Sequence, residues 1–208
     1  MIKAKTNNIT PFLLKVLIIY IIFFVKVYAI ENKNEGNFVV LGDSNAPVKI
    51  KIFSSLTCPH CANFHIKIFK KLKKEFIDTN DVKFEHHGFP LDLAALNAEK
   101  VLRCVENKEK RLAFLNKLYE KQDSWASGPD INSINSKLIK IANDYNLNDD
   151  KSNSCLNNEK LEDKILEERI KGNKKYSIKS TPTVFINEKE YEGKHNYQDF
   201  KKAIKKFL

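Results

Sequence analysis

Arginine is scarce in this sequence. Only three of the 36 basic residues are arginine, and the lysines are scattered among glutamate, aspartate and asparagine along predicted helices. Proteins that bind nucleic acids usually gather positive charge on one surface and favour arginine, because its guanidinium group makes bidentate contacts. The formal net charge of +10 therefore indicates a solvated surface, and we predict no nucleic-acid partner.

Long hydrophobic runs, internal repeats and low-complexity segments are also missing. The apolar stretch at residues 16–25 has ten residues, whereas a membrane-spanning helix needs about 20. Three lysines and no acidic residue precede this stretch, and Val27 and Ala29 follow it at the two positions that a signal peptidase reads. This order predicts a signal peptide over residues 1–29, and therefore an exported chain. Lys26 lies within the cleavage region, so an uncleaved membrane anchor is the alternative.

Cysteine is limited to four positions, namely Cys58, Cys61, Cys104 and Cys155. In an exported chain an even number of cysteines indicates disulfide chemistry before metal binding. A zinc site would have to bring the last two cysteines to a motif buried in the sheet, so we predict no metal and no other cofactor. A static disulfide between Cys58 and Cys61 would constrain little chain. This favours a pair that cycles between thiols and disulfide, with the static bond as the alternative.

The hydrophobic pattern predicts an α/β fold. Alternating apolar residues indicate strands at residues 48–52 and 82–86, with a helix that carries the Cys-x-x-Cys motif between them. About eighty helical residues, a hairpin and a closing helix follow. A β-α-β unit followed by β-β-α predicts one mixed sheet with helices on both faces. We divide the exported chain into a first sheet part (residues 30–91), an inserted helical domain (92–176) and a second sheet part (177–208).

The start of the cysteine helix favours an anion. Pro59 suits the first helical position because it has no N–H group to leave unpaired. The N–H groups of His60 and Cys61 can then point at the Cys58 sulfur, where the helix dipole also stabilises negative charge. A protonated His60 would add a positive charge nearby. We therefore predict a low pKa for Cys58, a strongly oxidising disulfide, and Cys61 as the inward-facing resolving thiol.

Two segments, FSSLTCPHCANFH at residues 53–65 and STPTVFIN at residues 180–187, resemble the DsbA family of bacterial thiol-disulfide oxidoreductases in the thioredoxin superfamily. The resemblance implies a thioredoxin-like mixed sheet with an inserted all-helical cap domain. It implies that the Thr181-Pro182 bond is cis, faces the cysteines and binds the substrate peptide. It further implies a periplasmic enzyme that forms a mixed disulfide at Cys58 with reduced or unfolded exported proteins. Its reoxidant would be a DsbB-like, quinone-linked membrane protein.

Four positions near the predicted site depart from the family pattern. They are Ile52 in place of an acidic residue, His65 in place of a glutamate, Ser180 in place of a glycine, and Asn187-Glu188 in place of an Asn-Gly hairpin. Proton movement to and from Cys61 must then use another group or water. The redox potential therefore need not match the family's typical value.

Cys104 and Cys155 are predicted to form a structural disulfide, since neither has a cysteine two residues away. The loop between them has about 50 residues, and closing it in the unfolded chain would stabilise the fold by up to about 4 kcal/mol. A second redox site is the alternative. His86 and His87 point to opposite faces of a strand, which is poor geometry for binding a metal. We place them at the strand end, near the active-site groove.

The leading functional prediction is a monomeric oxidase. Only about 18 residues, 30–47, separate the signal peptide from the strand that leads to the cysteines. By the resemblance, this is too few for the N-terminal domain through which related isomerases dimerise. A disulfide isomerase or reductase is the alternative with the same chemistry, because threonine before the cis-proline also occurs there. A non-catalytic binding or chaperone module on the same fold is the third possibility, and the intact cysteine pair argues against it.

Overall fold

At the centre of the computed structural model lies a five-stranded sheet with the strand order β1-β3-β2-β4-β5. The structure describes residues 39–208, so the predicted signal peptide lies outside the described residues. The strands are β1 (Val39–Leu41), β2 (Val48–Ser54), β3 (Val82–Gly88), β4 (Thr183–Ile186) and β5 (Lys189–Glu190). β2 runs parallel to β3, whereas the other three neighbouring pairs are antiparallel. The predicted mixed sheet is confirmed.

The parallel pair β2 and β3 determines which side chains meet beneath the cysteine helix. Ile52 is paired with His86, and Ser54 is paired with Gly88. Paired residues of neighbouring strands point to the same face of a sheet. Ile52, Ser54 and His86 are buried, so the sheet offers both apolar and polar groups to the helix above it.

The cysteine helix packs along this face. The α-helices of the described residues are α1 (Pro59–Phe64), α2 (Lys70–Leu72), α3 (Leu93–Arg103), α4 (Lys108–Glu120), α5 (Gln122–Trp125), α6 (Ile131–Ala142), α7 (Asp149–Leu156), α8 (Glu159–Tyr176) and α9 (Tyr197–Lys205). Two π-helical segments, His65–Phe69 and Lys73–Ile77, flank α2, so the chain stays helical from Pro59 to Ile77. The apolar residues that recur at helical spacing all pack in the sheet core, namely Phe64, Ile68, Leu72 and Phe76.

Asparagine and aspartate begin most of the longer helices. Their side-chain oxygens accept a hydrogen bond from the backbone N–H three residues later, which satisfies a donor that the helix itself cannot. These N-cap residues are Asp92, Asn107, Asp130, Asn148, Asn158 and Asn196. The high asparagine content therefore serves in part to define where the helices begin.

Helices α3 to α8 lie between β3 and β4, where the sequence predicts the inserted cap. Their core includes Leu118, Trp125 and Leu138, and it is continuous with Leu56 and Cys61 of the cysteine segment. The cap therefore forms the wall against which the cysteine loop packs. Among residues 39–208, no helix combines the length and the apolar character that crossing a membrane requires.

Helix α3 carries three buried charged residues, Glu99, Lys100 and Arg103. Arg103 donates from Nε to Glu99 Oε1 at 2.9 Å and from Nη1 to Glu168 Oε2 at 2.5 Å. Lys100 Nζ lies 2.6 Å from Glu162 Oε2. Burying an unpaired charge costs several kcal/mol, so these pairs with α8 fix α3 in position.

Candidate active site

Cys58 and Cys61 lie at the junction of β2 and the helix that follows it. Cys58 is the N-cap residue of α1, and Pro59 occupies the first turn. Both cysteines are free thiols; Cys58 is partly exposed, whereas Cys61 is buried. Only the first sulfur is therefore open to another protein.

The two thiols have opposite electrostatic environments. The pKa of Cys58 is lowered to about 5, and the largest cause is a hydrogen bond from the Cys61 side chain. Burial opposes this effect in part, because it favours the neutral thiol. Thr181 and the backbone N–H groups of Cys61 and His60 lower the pKa of Cys58 further. Burial is the main cause that raises the pKa of Cys61, and the hydrogen bond that it gives to Cys58 adds to this. The pair thus contains one thiolate and one thiol near neutral pH.

His60 is exposed on α1. Its backbone N–H is one of the groups that stabilise the Cys58 thiolate, as the helix geometry predicts. The largest stabilising contact comes from the Cys61 side chain instead, a contribution that the sequence pattern does not reveal. The Cys61 side chain and the backbone N–H groups of His60 and Cys61 therefore act together on the Cys58 sulfur.

The Thr181-Pro182 peptide bond is cis and lies directly before β4. The Cys58 Sγ lies 3.3 Å from the Thr181 carbonyl oxygen. The structure thus brings together residues that are 123 positions apart in the chain. The backbone of Thr181 lies beside the sulfur that another protein can reach.

Gln122 of the cap fixes the cysteine loop from the other side. Its Nε2 donates to the carbonyl oxygens of Leu56 at 2.8 Å and Cys58 at 3.1 Å. Nothing in the sequence pattern singles out this residue, because its role depends on α5 packing against a loop 64 residues away. Thr57 adds a second link to the cap, since its Oγ1 donates to Asp92 Oδ2 at 2.7 Å.

Several buried polar side chains lie deeper in the protein, near Cys61. His86 Nε2 lies 3.1 Å from the Tyr119 hydroxyl, and His65 Nε2 lies 2.6 Å from Asn116 Oδ1. Burial lowers the pKa of both histidines to about 3. His86 is 2% exposed and contacts Tyr119, so its side chain does not line an open groove.

The other two cysteines are bonded to each other. The Cys104–Cys155 disulfide has a Cα–Cα distance of 6.4 Å and joins residues 51 positions apart. It connects the end of α3 to α7, within the cap. No group of three or more histidine, cysteine or acidic side chains in residues 39–208 is arranged to hold a metal ion.

Comparison with known proteins gives consistent matches. A family model described as thioredoxin matches residues 33–206. Disulfide bond formation protein D of Bacillus subtilis is 33% identical over 179 residues, which cover 81% of this chain and 76% of that protein. The crystal structure of alpha-DsbA1 from Wolbachia pipientis has a TM-score of 0.76 and 31% identity, and the match covers 82% of this chain and 90% of that one. The crystal structure of oxidised BdbD from Bacillus subtilis has a TM-score of 0.67 and 28% identity, and the match covers 82% of this chain and 92% of that one.

Some relatives are longer than this chain. Two Rickettsia proteins, from R. typhi and R. prowazekii, carry the provisional name protein-disulfide oxidoreductase and are 28% and 29% identical over 176 residues. This chain spans 64% and 63% of their lengths. The family is nevertheless shown by the thioredoxin match over residues 33–206 and by the relatives above 30% identity. The cis-proline beside the two cysteines is consistent with it. The chain therefore belongs to the DsbA-like thiol-disulfide oxidoreductases of the thioredoxin superfamily.

Proposed function

We propose that the protein is a periplasmic oxidase that transfers its Cys58–Cys61 disulfide to exported proteins. The observation that carries this proposal is the opposition of the two thiols, with the pKa of Cys58 lowered to about 5 by the hydrogen bond from Cys61 and the pKa of Cys61 raised by burial. A stabilised Cys58 thiolate favours the reduced pair over the disulfide. The disulfide is then a strong oxidant, as expected of an enzyme that gives disulfides away.

The reaction begins at the exposed sulfur. A substrate thiolate attacks Cys58 and forms a substrate–Cys58 disulfide, while the Cys58–Cys61 bond breaks. The electron pair of the broken bond goes to the Cys61 sulfur, which takes up a proton. A second substrate thiolate then attacks the substrate sulfur of the mixed disulfide, and Cys58 leaves as a thiolate. The substrate loses two electrons and the enzyme gains them, so no cofactor is required.

Thr181 and Pro182 are proposed to hold the substrate during this exchange. The Thr181 carbonyl lies 3.3 Å from the Cys58 sulfur. An extended peptide that pairs with this backbone would bring its own cysteine alongside Cys58, in the manner of strand addition. Pro59 and His60 are exposed next to Cys58 in the chain.

The remaining parts of the cycle rest on the family resemblance and on the predicted signal peptide. We propose reduced or unfolded exported proteins as substrates and a DsbB-like, quinone-linked membrane protein as reoxidant. We also propose that the enzyme acts as a monomer and that Cys104–Cys155 is a structural bond that does not exchange. The names of the relatives support disulfide formation as the direction of the reaction.

The test measures the Cys58–Cys61 redox potential against glutathione, together with two activities. We expect fast oxidation of a reduced two-cysteine peptide and little rescue of a scrambled substrate. Cys58→Ser should abolish the first activity, and Cys61→Ser should trap the mixed disulfide. High isomerase activity with slow peptide oxidation would instead support the isomerase alternative. Binding of unfolded protein without any thiol exchange would support a chaperone module.

A further inference from the structure

An open groove of about 380 Å³ lies between α8 and the segment that leads to the cis-proline. Its apolar lining comes from three parts of the chain, namely Phe89 and Leu91 after β3, Ile170 on α8 and Ile178 before β4. Leu91 and Ile170 are 53% and 61% exposed. Scattered apolar side chains on a surface need no explanation, but those that gather in one groove indicate an interaction site.

Three positively charged side chains line the same groove, namely Arg169, Lys174 and Lys179. None of them forms an ion pair with another residue in the range 39–208. Lys171 of the same helix, in contrast, is paired with Glu167 at 3.0 Å. No carboxylate of the described chain lines the groove. The groove therefore combines apolar surface with positive charge that no local partner offsets.

Arg169 is fixed in the groove by an aromatic contact. Its guanidinium carbon lies 4.8 Å from the centre of the Phe89 ring. Its Nε is buried and finds no hydrogen-bond acceptor among residues 39–208. A buried donor without an acceptor costs stability, and the N–H groups of a guanidinium bind carboxylates well. The most favourable occupant of this side of the groove is thus an acidic group.

The groove is continuous with the backbone that is proposed to hold the substrate. Lys179 is two residues before Thr181, whose carbonyl oxygen lies 3.3 Å from the Cys58 sulfur. An extended chain rises about 3.3 Å per residue, so these two positions are about 7 Å apart. The N–H groups of Lys179 and Thr181 donate to no backbone carbonyl within residues 39–208. This short edge is therefore available to an added strand.

The opposite wall of the groove also leads to the active site. Leu91 is followed by Asp92, whose Oδ2 accepts from the Thr57 hydroxyl at 2.7 Å. Thr57 is the residue before Cys58. The other oxygen of Asp92 accepts from the Ala95 N–H at 2.7 Å, so both oxygens of this nearby carboxylate are already bound. A peptide that leaves the exposed sulfur on this side reaches the groove within two or three residues.

We propose, on the basis of the proposed function, that this groove binds the substrate segment on one side of the reacting cysteine and selects segments with apolar and acidic side chains. Apolar side chains of the substrate pack against Leu91 and Ile170. Its carboxylates pair with Arg169, Lys174 and Lys179. The preferred substrates are exported proteins in which an acidic, apolar segment adjoins a reduced cysteine.

The experiment uses four reduced peptides with the same central pair of cysteines. Each carries a flank of leucines with either glutamates or lysines, placed either before or after the pair. The rate of oxidation by the oxidised protein is divided by the rate with hydroxyethyl disulfide, which removes the effect of the flank on the peptide thiols themselves. We expect the glutamate peptide to react roughly tenfold faster than the lysine peptide on one side of the pair, as a few exposed ion pairs would give.

The position of the flank distinguishes the groove from general attraction. On the other side of the cysteine pair, the glutamate and lysine peptides should react at similar rates. An equal preference for glutamate on both sides would show attraction to the net positive charge of the whole protein, and would overturn the groove. The absence of any preference would overturn it as well.

Charge reversal locates the preference on the protein. Lys174→Glu/Lys179→Glu should reverse it, so that the lysine peptide on the groove side becomes the faster one. Lys164→Glu/Lys171→Glu makes the same change in net charge at two exposed positions of α8 that do not line the groove, and should keep the wild-type preference. All four lysines are exposed, so both variants should fold. Retained preference in the first variant, or reversal in the second, would refute the assignment.

The apolar part of the groove is tested separately. Ile170→Ser at an exposed position should raise the KM of both groove-side peptides and leave the KM of the other two unchanged. An equal KM for the groove-side peptides in Ile170→Ser and wild type would contradict apolar binding here. Failure of the wild-type protein to oxidise any of the four peptides would instead contradict the proposed function, and this specificity with it.

Discussion

Replacing Cys61 tests the cause of the low Cys58 pKa. The structure assigns the largest share of the effect to the hydrogen bond from the Cys61 side chain, ahead of Thr181 and the backbone N–H groups of the first helical turn. Cys61→Ala removes this donor, whereas Cys61→Ser keeps an O–H donor of similar size. The two variants therefore differ in one hydrogen bond at the Cys58 sulfur.

The expected change is large because the starting shift is large. The pKa of Cys58 falls from 9.0 to about 5, so about 99% of this thiol is ionised at pH 7, compared with about 1% for an unperturbed thiol. In Cys61→Ala we expect the pKa of Cys58 to rise markedly toward its ordinary value, since only the weaker donors remain. In Cys61→Ser it should stay near that of the wild type.

Both pKa values can be read from the thiolate absorbance in the ultraviolet and from the pH dependence of iodoacetamide alkylation. Alkylation near pH 5 should mark Cys58 alone in the reduced wild-type protein. Equal pKa values for Cys58 in the alanine and serine variants would show that the helix start, and not the Cys61 side chain, determines the thiolate. Labelling of Cys61 under these conditions would refute the assignment of the two roles.

Three further outcomes follow from other parts of the structure. His65 and His86 have a folded-state pKa of about 3 because of burial, against about 6.5 in the unfolded chain. The stability that the neutral histidines contribute is then fully present above pH 6.5, and the free energy of unfolding falls toward pH 3 by about 1.4 kcal/mol per pH unit for each histidine. Urea unfolding at several pH values should show this fall, and His86→Gln should flatten the slope. Gln122→Ala removes the donor to the buried Leu56 carbonyl oxygen and one of the two donors to that of Cys58, which keeps the Ala62 N–H. It should cost about 1–3 kcal/mol of stability, whereas Ser124→Ala on the same helix should cost much less in the same urea unfolding. The double variant Cys104→Ser/Cys155→Ser should lose up to about 4 kcal/mol of stability, measured by thermal unfolding, and keep its peptide oxidation rate; loss of oxidation in a folded double variant would contradict the structural role.

Local patterns in the sequence were sufficient for the central fold and for half of the site. The alternation in β2 and β3, the proline after Cys58 and the Thr-Pro before β4 each determine structure within a few residues. For this reason the strands, the helix start and the inward direction of Cys61 could be predicted. The cis peptide followed only from the resemblance to a known family.

The missed residues depend on packing between distant segments. Gln122 contacts the cysteine loop because α5 of the cap lies against it. Glu99 is buried because Gly88 leaves room for its carboxylate from α3. Glutamine and glutamate on amphipathic helices are usually solvated, so no rule of spacing or composition distinguishes these two from their exposed neighbours.

The residues that contact Cys58 are far apart along the chain, so they are synthesised at different times. The cysteine pair is synthesised early, Gln122 comes 64 residues later and Thr181 another 59 after that. A nascent chain that has only reached α4 would therefore carry two thiols without the cap and the cis-proline segment around them. We expect the two thiols of such a chain to be less reactive, and less different from each other, than those of the finished protein. Full reactivity would then appear only when β4 is in place, which would protect the growing chain from premature exchange with its neighbours.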